Sequence, residues 1–387
     1  MVGAMKPRES SVLDDTLIGS AKDADVWAER SALWLEGAEA RPQGRRTRRA
    51  ARRPLILSGH GVSLRVDSGT LLVRNGFTHY PQQREEWRLF PGHWRLPSRI
   101  VVLDADGGLS FDVLAWLSAQ AIPLIQINWR GETVEVVGGT GSAVDPHLVE
   151  KQLTARENGV GQHVAQLLIS EKIANCIDTL RRAFPEWPAA TSAIQQLERD
   201  AAAMKQQPPA SIAGLLGVEG RVAEAYFRAW RSYPLRWVRT GRRPVPDDWK
   251  QLAPRLSRAS GKSHRNRNAT HPVNAMLNYA YGVLESEVRA QVLGAGLDPT
   301  IGYLHGSYRD KHALVFDIME PLRPVVDLRT LQVVQKRALE PGDFTMRTDG
   351  VCRLNPGLAA SVVRAQQTDL KAAAIVNRLA ELLSSAA

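Results

Sequence analysis

Residues 301–327 read IGYLHGSYRDKHALVFDIMEPLRPVVD and place His305, Asp317 and Glu320 where they could hold a hard divalent cation. His305 stands where an apolar segment yields to a polar loop. The apolar run ALVF then leads directly into Asp317 and Glu320. If that run is helical, the two acids are three residues apart and share a face, about one turn from each other. An imidazole would supply a neutral nitrogen, and the carboxylates would supply charge and oxygen. The competing reading is a buried histidine beside a solvated acidic face.

A further carboxylate, Glu219, is flanked by Gly217 and Gly220 at the start of an apolar-periodic helix. Five segments then fall in order: EKIANC (171–176), LLGVEGRVAEAYF (215–227), NATHPVNAMLNYAYGVLE (268–285), GYLHG (302–306) and ALVFDIMEPLRPVVD (313–327). Together they resemble the CRISPR-associated integrase family, the catalytic subunit of the spacer-acquisition complex. The likeness runs across residues 54–340. It departs from the family pattern at Cys176, often Gln there, in the length of segment 80–95, and in the extension before residue 54.

The resemblance implies that Glu219, His305 and Glu320 are catalytic metal ligands, with Asp317 as an auxiliary ligand or a group behind them. It implies Mg²⁺ or Mn²⁺, an ion that polarises a phosphodiester and lowers the pKa of an attacking hydroxyl. The nucleophile would be the 3′-hydroxyl of a foreign DNA fragment, inserted into a CRISPR array by transesterification, so no protein nucleophile is required. The same site could use water as an endonuclease. Implied partners are double-stranded and branched DNA, a second copy of the chain in a homodimer, and the small dimeric CRISPR adaptation subunit. Arg309 and Arg323 beside the ligands, and Arg239, Arg242, Arg243, Arg265 and Arg267 in a basic loop, would hold phosphates, setting affinity and register without reading sequence. Two other classes compete: a non-catalytic DNA-binding scaffold of the same fold, and a structure-specific repair nuclease acting on branched DNA.

The elements that must position these residues suggest an α+β chain, a small β-rich part followed by a larger all-α catalytic part. Residues 1–53 end in the arginine block RPQGRRTRRAARR and read as a mobile extension, a tether to phosphates or an arm with no role. Residues 54–140 alternate as short strands: VSLRV and TLLVR flank the turn Asp67-Ser68-Gly69, and SFDVLAWLSAQ reads as a helix capped by Ser110. The resemblance assigns this part to dimerisation and partner docking. Residues 141–387 read as helices, with Ser211 capping the Glu219 helix. A long basic surface loop is expected over 238–274, and an interruption over 340–357. Tyr226, Phe227, Trp230 and Tyr233 read as core packing, and His271, before Pro272, as a local structural residue.

Over its 387 residues the chain is 44% hydrophobic and carries a formal charge of +10, which suits a globular protein with a polyanionic partner. No apolar run reaches the ~18 residues needed to span a bilayer, so no membrane association is expected. The absence of a signal-like N-terminus suggests the cytoplasm. Cys176 and Cys352, the two cysteines, lack metal-type spacing.

Overall fold

A computed structural model describes residues 54–77, 84–128, 130–137, 144–241, 244–253, 268–305, 312–366 and 371–385. The arginine-rich extension expected over 1–53 lies outside them. In chain order the first part contains β1 (Leu55–Ser58), β2 (Val62–Asp67), β3 (Thr70–Arg74), β4 (Glu86–Leu89), β5 (Ile100–Leu103) and β6 (Gly107–Leu109). There follow α1 (Phe111–Ala119), β7 (Leu124–Ile127) and β8 (Thr133–Val137).

The Asp67-Ser68-Gly69 signal is a tight hairpin, with Asp67 paired to Thr70 and positive φ at both Ser68 (50°) and Gly69 (76°). That conformation matches the right-handed twist of two joined strands. The strands form two sheets, in the orders β4-β3-β2-β6 and β1-β5-β7-β8. In the second, β1, β5 and β7 run parallel. Their apolar runs LILS, IVVL and LIQI lack clean alternation because both faces of this sheet are covered. Ile56, Val101, Leu103, Ile125 and Ile127 join the helical core, whereas Leu57, Ile100 and Leu124 pack with Leu64, Leu71 and Val73 of the other sheet. The junction near residue 140 lies outside the described residues.

The second part contains α2 (Pro146–Thr154), α3 (Val160–Ala183), α4 (Pro188–Gln206), α5 (Ile212–Trp230), α6 (Pro272–Gly294) and α7 (Ala313–Lys336). A hairpin of β9 (Phe344–Met346) and β10 (Cys352–Leu354) precedes α8 (Pro356–Ala365) and α9 (Ala372–Ser385). The chain is thus α+β, with a β-rich N-terminal region and a mostly helical remainder. The interruption expected over 340–357 is that hairpin, so the second part is not purely helical. The expected basic loop is also partly folded: Trp249 and Leu252 are buried, and Trp249 stacks on Trp237 at 6.0 Å.

Tyr226 and Trp230 are core residues, buried with Phe184 in an aromatic cluster. His271 caps α6: its Nδ1 accepts from the Val273 amide at 3.2 Å, and its Nε2 meets the Gln251 carbonyl at 2.9 Å. Burial pushes its pKa down to about 4, against a smaller opposing effect of the Gln251 carbonyl. A neutral ring therefore does the capping.

Candidate active site

Helix α7 carries the acids of the site. Asp317, Glu320, Pro324 and Asp327 recur at intervals of three and four, which places them on one face. All three acids are buried. Pro321 and Pro324 lie inside the helix and lack the amide that would pair with the carbonyls of Asp317 and Glu320. Helix α3 braces this stretch: Asn175 donates to the Pro321 carbonyl and Thr179 to the Pro324 carbonyl, each at 2.7 Å.

Helix α5 brings in Glu219. It starts at Ser211, whose Oγ accepts from the Gly214 amide at 3.1 Å, as an N-cap should. A Cβ built at Gly220 would meet nothing within 4 Å, so packing does not require glycine there. Its absence of side chain leaves the helix surface beside Glu219 open.

Between the two glutamates stands Lys172 of α3. Its Nζ donates to Glu219 Oε1 and, at 2.5 Å, to Glu320 Oε2. Arg323 Nη1 meets the other oxygen of Glu320 at 2.6 Å, and Arg323 Cζ lies 5.6 Å from the Tyr281 ring centroid. Burial alone would lower the Lys172 pKa, but the charges of Glu320 and Glu219 outweigh it and hold the ammonium above its usual value. Burial works against the Glu320 carboxylate as well. Arg323 and Lys172 overcome it and keep the group ionised. The cluster is therefore two anions and two cations, mutually neutralised, the form in which buried charges are tolerated.

His305 is held from behind. Asp317 Oδ1 accepts from the His305 amide at 2.9 Å and faces His305 Nδ1 at 2.7 Å. Asp317 Oδ2 accepts from the Tyr303 amide at 2.6 Å and the Leu304 amide at 2.9 Å. One carboxylate thus organises the whole turn. Gly302 is required there: an added Cβ would meet Ala313 and Asp317 Oδ2 at 2.8 Å. The hydrogen bond to Asp317 raises the His305 pKa, partly offset by burial. With Nδ1 committed to Asp317, Nε2 is the nitrogen left to bind a ligand.

Of the candidate ligands, the structure brings Glu219 and Glu320 onto one point and sets His305 near enough to Glu320 for each to shift the other's ionisation. It does not gather the three around a shared centre. Among the described residues no three His, Cys, Asp or Glu side chains are grouped to hold an ion. Lys172 fills the space between the glutamates. Asp317 stands behind His305 with both oxygens engaged. Arg323, expected on phosphate, lies against Glu320. Arg239 pairs with Glu340 at 3.1 Å. Arg242, Arg243, Arg265, Arg267 and Arg309 lie outside the described residues.

The carboxylates open onto a cleft of about 880 Å³, whose walls include Lys172, Glu219, Glu320, Arg323, Tyr281 and Asp327. The model of CRISPR-associated protein Cas1 matches residues 55–368. The chain belongs to the Cas1 family. It is 28% identical over 298 residues to a CRISPR-associated endonuclease Cas1 of Thermus thermophilus, covering 77% of this chain and 80% of that one. It is 31% identical to a Cas4 exonuclease/Cas1 endonuclease fusion of Geobacter sulfurreducens, covering 78% of this chain and 52% of the fusion. Among solved structures, a casposase bound to its integration product shares the fold with a TM-score of 0.66, 24% identity and 81% coverage of each chain. A Cas1 protein from Thermotoga maritima does so with a TM-score of 0.62 and 19% identity, covering 86% of this chain and 97% of that one.

In this Cas1 chain the residue that sequence reasoning missed is Lys172. It sits within the segment EKIANC, on the stripe of α3 that includes Leu168, Ile169 and Cys176. A lysine on an otherwise apolar, buried face needs an anionic partner, and that was the available signal. Asp327 is a second such residue. It accepts from Tyr226 Oη at 3.1 Å and Tyr281 Oη at 2.6 Å, fixing the wall of the cleft behind Arg323. Burial pushes the Cys176 thiol up, so it stays protonated and is no nucleophile.

Proposed function

We propose that this Cas1 chain is a divalent-metal-dependent DNA endonuclease and integrase that joins a DNA 3′-hydroxyl to a phosphodiester of a CRISPR array. The observation that carries this reading is the convergence of two carboxylates, the half-buried Glu219 and the buried Glu320, on one cation at a cleft. The donor types suit Mg²⁺ or Mn²⁺: two carboxylate oxygens aimed at one positive charge, with an imidazole oriented by Asp317 standing outside that point. Glu219, Glu320 and His305 Nε2 would hold the ion. When bound, such an ion polarises the phosphodiester and favours the alkoxide form of the attacking hydroxyl. Arg323, which pairs with Glu320 at the cleft wall, would meet a phosphate there. Asp317, facing His305 Nδ1, would leave Nε2 for the ion.

DNA as substrate is supported by the +10 charge and by relatives named as endonucleases. A second copy and the small adaptation subunit are proposed to dock on the β-rich part, where Phe111, Trp94 and Phe90 are 88%, 63% and 53% exposed. The described helices include none long and apolar enough to cross a membrane.

The test is strand joining on a branched, repeat-containing DNA with Mn²⁺, in wild type and Glu219→Ala. Joining that disappears with a chelator and in the variant is expected. Joining that persists in both overturns the reading. One observation favours the rival scaffold reading, namely that Lys172 already satisfies both glutamates. A folded wild-type chain that binds DNA but never joins or cuts it, with any divalent ion, would establish that rival.

A further inference from the structure

We propose that Lys172 is an internal placeholder for the divalent ion, occupying the ion's position in the metal-free protein and leaving it when metal enters. The proposal rests on the metal-dependent reading above and concerns how the site exists before the ion arrives.

Glu219 and Glu320 come from different helices and aim at the same point. Left empty, that point would set two carboxylates against each other in a poorly solvated place, with Glu320 only 2% exposed at its side chain. Like charges so placed force protonation or separation. The Lys172 ammonium prevents both, since its hydrogen bonds go to one oxygen of each glutamate. Its stem lies along the buried stripe of α3, so the helix holds the charge at a fixed height.

A divalent ion cannot join this arrangement as it stands. An ammonium and a dication bound to the same two oxygens would repel at a few ångströms, where screening by water is weak. Either the ion is refused or Lys172 withdraws. The geometry permits withdrawal, because Lys172 also lines the cleft and its four-carbon stem can turn towards that space. Arg323 does not compete in the same way, since it takes the other oxygen of Glu320. The displaced ammonium would then stand in the cleft, on the side from which a DNA phosphate approaches.

The experiment uses the full chain without DNA and titrates Mn²⁺, followed by electron paramagnetic resonance of the free ion, in wild type, Lys172→Met and Glu219→Gln. Lys172→Met keeps the stem and removes the competing charge, so its Mn²⁺ dissociation constant is expected to fall at least ~10-fold. Glu219→Gln should weaken binding. Should Lys172→Met fail to fold, wild type alone decides, through acetylation of lysines read by mass spectrometry. Lys172, 7% exposed at its side chain, should be labelled several-fold faster with saturating Mn²⁺ than without. Unchanged or weaker Mn²⁺ binding in Lys172→Met, or unchanged labelling of Lys172, overturns the placeholder while Glu219→Gln still reports a metal site. If neither wild type nor Lys172→Met binds Mn²⁺, the metal reading itself falls and takes the placeholder with it.

Discussion

Asp317→Asn tests the turn that presents His305, and its cost can be worked from four hydrogen bonds. The carboxylate accepts from the amides of Tyr303, Leu304 and His305 and faces His305 Nδ1, at 2.6 to 2.9 Å. Asparagine keeps the shape but offers one acceptor oxygen and one NH₂ group. Turned one way, the NH₂ faces the Tyr303 and Leu304 amides; turned the other, it faces the His305 amide and Nδ1, which can accept by changing tautomer. One or two donors then lose their partner, at about 1–3 kcal/mol each, so the variant should lose roughly 1–6 kcal/mol. Against a typical total of about 5–15 kcal/mol this is severe but survivable. Chemical denaturation should report the loss, and hydrogen exchange should speed up at residues 303–305. A loss under about 1 kcal/mol with unchanged exchange there would refute the assignment of Asp317 as the anchor.

The same variant carries a pH signature. His305 has a raised folded pKa, chiefly through Asp317. The stability of the charged pair is thus fully present below the ordinary value of about 6.5 and is lost as pH rises through the raised one. Activity runs oppositely, because an imidazole that ligates metal must be neutral. The acid limb of the wild-type rate profile should lie above about 6.5 and move to lower pH in Asp317→Asn. A limb that does not move would show that His305 is not the titrating group.

Three further outcomes are expected. Gly302→Ala places a methyl 2.8 Å from Ala313 and Asp317 Oδ2, and should cost about 1–3 kcal/mol in a denaturant titration, with loss of activity. Neutralising Arg242, Arg243 and Arg267 together should weaken DNA binding and make its dependence on log salt shallower by about 0.9 for each phosphate no longer neutralised, while Mn²⁺ binding stays intact. Phe111→Asp combined with Trp94→Asp should convert a dimer to a monomer in light scattering at micromolar concentration; a dimer that persists would move the interface away from these exposed rings.

How much of this was legible in the sequence depends on the range of the interaction. Local rules located what is local: the Ser211 cap, the hairpin at Ser68-Gly69, and the helical spacing that sets Asp317 and Glu320 on one face. The parallel pairing of β1 with β5 and β7 joins segments far apart in the chain, and apolar runs alone do not state their partner. At the site, residue types suggested three equal ligands, but the folded chain assigns unequal tasks. Asp317 serves His305 through backbone amides, which no residue type announces. Lys172 was hidden because its meaning lies in two acids 47 and 148 residues away.

The central claim is that Glu219, His305 and Glu320 make bonds and do not merely bind DNA. His305→Ala separates the two most directly, since His305 is 37% exposed at its side chain and its loss leaves the Lys172 cluster intact. The measurement pairs a salt-titrated DNA-binding assay with strand transfer on the same branched substrate, with Mn²⁺ present. Affinity comes from many Lys and Arg contacts, so it should stay within about twofold of wild type at every salt concentration. Strand transfer depends on a fully held ion and should fall by orders of magnitude. A folded His305→Ala protein that loses binding and strand transfer in equal proportion would contradict the account and leave a DNA-binding scaffold in its place.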